Sequence, residues 1–103
     1  MRIEVIGDDT ISQQARTYAE YRVFAALTQS SQAHTVQRVR ILLRPVTLEN
    51  GCEEIACTVT VALEGSDSCR IRTTGPHPYA AINRAVERIR TNSTTTMVDR
   101  ISV

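Results

Sequence analysis

The stretch Tyr79-Ala80-Ala81-Ile82-Asn83-Arg84-Ala85-Val86-Glu87-Arg88-Ile89-Arg90 constrains the fold more than any other part of the chain. Ala81, Ile82, Ala85, Val86 and Ile89 recur at helical spacing, so a helix here lays one face on a partner layer and leaves the other in water. It opens after Gly75-Pro76-His77-Pro78, where Pro78 suits the first helical turn and His77 helps to begin it. The segments ahead of it alternate at period two, so the partner layer is a sheet.

Residues 2–6 read as a first strand, with Ile3 and Val5 inward, ended by Gly7-Asp8-Asp9. Ser12 is a candidate N-cap for a helix over residues 13–28. Its stripe of Ala15, Ala19, Val23 and Ala26 or Leu27 is mostly small, which lets the helix approach the sheet closely. Residues 29–35 form a polar linker. In residues 36–44, Val39, Ile41 and Leu43 point one way while Arg38, Arg40 and Arg44 point the other. Pro45 lacks a backbone donor and marks the end of that strand or an edge. Glu49-Asn50-Gly51 is a turn. Ile55, Cys57, Val59, Val61 and Leu63 alternate with Thr58 and Thr60 as a third strand. Glu64-Gly65-Ser66-Asp67 leads into a fourth over residues 68–74, with Cys69 and Ile71 inward and Arg70 and Arg72 outward. Residues 91–96 are poor in helix formers. Residues 97–103 fit a continued helix, a short strand or a free tail.

Every strand offers one apolar face, and two helices need cover. The expected fold is a two-layer α+β domain of order β-α-β-β-β-α, a four-stranded mixed sheet with both helices on one face. The first helix makes a right-handed crossover between parallel strands, and the last three strands form an antiparallel meander. At 103 residues the chain is one such domain.

The alternation sends Arg2, Arg38, Arg40, Arg44, Arg70 and Arg72 to the uncovered sheet face, half of the 12 arginines in a chain that has no lysine. Glu4 and Glu64 share that face by the same rule. Arginine forks onto phosphate, so a rigid surface of this kind suits a phosphate backbone. The competing explanation is an ordinary solvated face in which long stems cover apolar backbone. No Phe or Tyr lies on that face to stack bases, which argues against recognition of the kind RNA-binding sheets use. The formal net charge is only +1, too small to demonstrate a polyanion partner by itself. His34 and His77 are isolated, so no metal or other cofactor is expected. No nucleophile elbow or phosphate loop is present, so neither an enzyme nor a small-molecule substrate is expected. Arg2 and Glu4 put charges where a signal peptide would be apolar, and no apolar stretch is long enough to span a membrane. Three cysteines without Cys-x-x-Cys spacing suit a reducing compartment, and the expected location is the cytoplasm. Cys57 and Cys69 fall at inward positions of neighbouring strands as small core residues, with a disulfide between them left open.

Two local motifs add a resemblance. Ile11-Ser12-Gln13-Gln14-Ala15-Arg16, with Arg22 further along, looks like the first-helix start and basic positions of the ribosome hibernation-promoting factor and ribosome-associated inhibitor family. Tyr79-Ala80-Ala81-Ile82-Asn83, followed by Arg88, is similar to that family's second helix. The chain resembles the family, in a short and diverged form, over residues 1–90. The resemblance implies a two-layer fold that binds the small ribosomal subunit in the cleft between head and body. There it would contact ribosomal RNA and block messenger and transfer RNA during stress. By carry-over the RNA contacts are Arg16, Arg22 and Arg88; Arg38, Arg40, Arg70 and Arg72 come from strand alternation alone. The alternative is a protein-interaction module of the same fold, self-associating or binding a protein without RNA. In one version, residues 97–103 pair with a strand edge in a homodimer.

Overall fold

A computed structural model describes residues 1–29, 35–65 and 68–94, the side chains of 92–94 excepted. The elements follow the order β1 (Arg2–Gly7), α1 (Gln13–Thr28), β2 (Val36–Thr47), β3 (Glu53–Leu63), β4 (Ser68–Gly75) and α2 (Pro78–Thr94). The sheet order is β1-β2-β3-β4, with β1 parallel to β2 and the other neighbours antiparallel. Inward residues of the strands share one continuous core with the buried stripes of both helices, so both helices cover the same face.

Local chemistry starts each helix as the residues predict. The Ser12 hydroxyl accepts from the Ala15 backbone N–H at 3.1 Å, and Ala15, Ala19, Val23, Ala26 and Leu27 are the buried positions of α1. His77 begins α2 through its ring, because Nδ1 accepts from the Ala80 N–H at 3.2 Å. The two helices are tied by Tyr18, whose hydroxyl donates to Asn83 Oδ1 at 2.6 Å and whose ring meets Tyr79 edge-on at 5.0 Å. Two residues of the second motif, Tyr79 and Asn83, are therefore part of the helix–helix contact.

Several elements run beyond the sequence expectation, β1 by one residue to Gly7 and β3 from an earlier start at Glu53. β2 continues through Pro45 to Thr47. Its last rung with β1 joins Leu43 to Gly7, so Pro45 lies on a part of β2 that has only β3 beside it, where a missing donor is tolerated. β4 includes Gly75, and α2 extends into the threonine-rich stretch as far as Thr94, with Thr91 Oγ1 donating to the Glu87 carbonyl at 3.0 Å. Ile89 is buried one turn back and holds the helix against the sheet there, so packing overrides the weak propensity. Residues 97–103, and the role proposed for them, lie outside the described residues.

Cys57 faces Thr73 and Cys69 faces Val61 across the β3–β4 ladder, so no disulfide joins them. Burial pushes the Cys57 thiol up to about 12, which keeps it neutral and unreactive.

Gly75 is buried where β4 passes under the first turn of α2. A Cβ there would sit 2.7 Å from the Ala81 nitrogen and 2.9 Å from the Ala80 Cβ. Gly75→Ala is therefore expected to push the start of α2 off the sheet and to cost about 1–3 kcal/mol. A thermal melt followed by circular dichroism checks this; an unchanged midpoint would show that the helix start yields freely.

Candidate nucleic-acid interface

The register assembles the sheet arginines into rows. Arg40, Thr60 and Arg70 lie side by side across β2, β3 and β4, and Arg2 lies directly opposite Arg38 on β1 and β2. Arg38, Arg40, Thr60, Ala62 and Arg70 line a shallow concavity of about 250 Å³. Two like charges directly opposite each other repel, and an anion seated between Arg2 and Arg38 would relieve that repulsion. The face is not uniformly basic. Arg40 Nε lies 3.3 Å from Glu4 Oε1 in an exposed ion pair, and alternation along β3 also places Glu54 on this face, beyond Ala56. β3 ends at Leu63, so Glu64 belongs to the following turn.

The helix arginines divide differently. Arg16 is half-buried, and its Nη2 donates to the carbonyls of Gly7 at 3.1 Å and Asp8 at 2.9 Å, fastening the β1–α1 loop. In the same loop the Thr10 hydroxyl and N–H donate to Asp8 Oδ1 at 2.5 and 2.9 Å. These bonds, more than the nearby Arg16 charge, hold the Asp8 carboxyl below the usual carboxylate range. Arg22 is also half-buried, with its guanidinium carbon 5.9 Å from the centre of the Tyr18 ring. Arg88 alone of these three is exposed.

Arg88 does not stand by itself. Together with Arg72, Thr73, Thr74, Asn83, Arg84 and Glu87 it lines an open concavity of about 540 Å³ where β4 meets α2. Arg84 is fixed there, because its Nη1 donates to the Thr74 carbonyl at 2.5 Å. Arg72 comes from the open sheet face, whereas Arg84 and Arg88 come from the helix layer. The two arginine surfaces thus meet along the β4 edge. Glu87 supplies the opposing charge and lies 3.9 Å from Arg90, which draws it along the helix.

Nothing local in the sequence shows that Arg84 reaches across to β4. Tyr21 and Phe24, 69% and 48% exposed on α1, also lie outside the buried stripe that helical spacing identifies. Their i,i+3 spacing off the alanine stripe was the available signal. Among the described residues no group of His, Cys, Asp and Glu is arranged to hold a metal ion, and no helix is long and apolar enough to cross a membrane.

No family model and no curated protein sequence matches the chain. Solved structures do. A ribosomal subunit interface protein from Coxiella burnetii superimposes with a TM-score of 0.70 at 15% identity, covering 94% of this chain and 98% of that one. The N-terminal domain of Thermus thermophilus Protein Y gives 0.68 at 26% identity, covering 93% and 99%. The chain shares the fold of these two proteins over nearly its whole length. At the level of the fold the likeness agrees with the family resemblance read from the two helix motifs.

Proposed function

We propose that this chain is a non-enzymatic, cytoplasmic translation regulator that binds the small ribosomal subunit through phosphates of ribosomal RNA. One observation carries the reading: nearly its whole length superimposes on a ribosomal subunit interface protein, with the Protein Y domain in agreement. The arginine geometry supports it. Arg72, Arg84 and Arg88 present three guanidinium groups around one concavity, and Arg38, Arg40 and Arg70 present three more on the adjoining sheet face. Guanidinium forks suit phosphate oxygens, and such contacts position a protein on RNA without reading bases. Arg22 contributes from beside the Tyr18 ring, and Arg16 supports that surface indirectly by fastening the β1–α1 loop. Occupying the subunit in this way blocks messenger and transfer RNA sterically and requires no bond to be made or broken.

Cosedimentation with purified small subunits across a salt series tests the reading. The chain is expected in the subunit fraction at low salt and released steeply as salt rises, since each phosphate contact releases counterions. Absence from that fraction even at low salt would overturn the proposal.

A further inference from the structure

At the opposite edge of the sheet lies a surface that, Arg2 apart, the RNA reading does not use. β1 is paired with β2 on one side and, among the described residues, with no strand on the other. An unpaired edge is a template for another strand. Beside it α1 carries a second, outward stripe of Thr17, Glu20, Tyr21 and Phe24 at helical spacing. Tyr21, Phe24, Met1 and Ile3 line a groove of about 440 Å³ with Thr17 and Glu20. Ile3 and Val5 are only half-buried, whereas Val39, Ile41, Val59 and Ile71 on the other strands are fully covered. The apolar side of β1 is therefore incompletely roofed by α1.

We propose that this edge and groove bind a second copy of the chain, with the two β1 strands antiparallel about a two-fold axis through Ile3. Facing residues must share parity if the apolar sides are to stay together, which leaves few registers. Centred on Ile3, the pairing sets Arg2 of each copy opposite Glu4 of the other, on both sides of the axis. Glu4 uses Oε1 for Arg40 within its own copy, leaving Oε2 for the incoming guanidinium. Centred on Arg2 or on Glu4, the pairing would set like charges directly opposite, which is destabilising. Centred on Val5, it would require Gly7 to pair, and the Gly7 carbonyl is taken by Arg16. The Ile3 register also sets Met1 across from Val5 and brings the two grooves together on one side of the joined sheet. Tyr21 and Phe24 of each copy then pack over apolar residues that α1 alone leaves half-covered. The result is a continuous sheet of two copies, with both β4 edges still outermost.

Light scattering of the full chain over a concentration series tests this, together with amide exchange of the outward-facing N–H groups in residues 2–6. The mass is expected to rise from 11.5 kDa towards twice that value, and those amides to slow in step. The surface variant Tyr21→Ser with Phe24→Ser is expected to weaken association at least tenfold. Arg2→Glu and Glu4→Arg should each abolish the dimer alone. An equimolar mixture of these two variants should restore it, because opposite charges then face each other across the axis. A wild-type mass fixed at 11.5 kDa would overturn the proposal and leave the edge to some other strand. So would a dimer whose residues 2–6 exchange as in the monomer, one indifferent to the aromatic pair, or single reversals that the mixture does not rescue. The amide measurement needs no variant, so a misfolded variant leaves the test intact.

Discussion

Ile82→Ala is expected to lower the unfolding free energy by about 2–5 kcal/mol. Ile82 is fully buried in α2, within the core shared by the sheet and both helices. Truncation removes the transfer free energy of the lost methyl and methylene groups and leaves a cavity that close-packed neighbours fill only partly. Relief by movement is restricted, because α2 is pinned at its start by the buried bond from Thr73 Oγ1 to the Ala81 carbonyl at 2.7 Å. A loss of that size is a large fraction of the roughly 5–15 kcal/mol that holds a domain together. Urea unfolding followed by circular dichroism should show a lower midpoint with an unchanged slope. A midpoint within experimental scatter of the wild type would mean that the helix layer repacks freely around the site.

Replacing Arg72, Arg84 and Arg88 together by Gln is expected to reduce the salt slope of ribosome binding by about 2–3 units, at about 0.7–0.9 for each phosphate contact. Extrapolated from molar salt to about 0.05 M, a loss of that size weakens binding roughly a thousandfold. The sheet set of Arg38, Arg40 and Arg70 should lose less, because Arg40 is already partnered by Glu4. Arg16→Gln should behave differently again. Its guanidinium holds the carbonyls of Gly7 and Asp8, so its loss should appear mainly in the thermal midpoint and little in the salt slope. Equal and negligible losses from the first two sets, in variants that melt like the wild type, would point away from RNA. Arg84 also bonds the Thr74 carbonyl, which is why the melt belongs beside the binding curve.

The periodicities of this chain determine most of its architecture. Alternation places Val39, Ile41, Leu43, Cys57, Val59, Val61, Cys69 and Ile71 inward, and all are buried. Helical spacing identifies both buried stripes, and Ser12 and His77 announce the helix starts because capping is local chemistry within three residues. The side of each strand on which an arginine emerges follows from the same rule. What the sequence does not contain is distance between segments. Whether Arg72 lies near Arg84 depends on how α2 crosses β4, which is decided by the close approach at Gly75 and the Thr73–Ala81 bond. Whether Arg16 and Arg22 face solvent depends on the β1–α1 loop and on Tyr18, both fixed by packing rather than by period. The ability of β2 to continue through Pro45 likewise depends on where its neighbour stops. Spacing along the chain thus determined which face each residue takes, because that is a property of one helix or strand. Only the tertiary structure decided which arginines meet and which are spent within the fold, because those contacts join elements far apart in the chain.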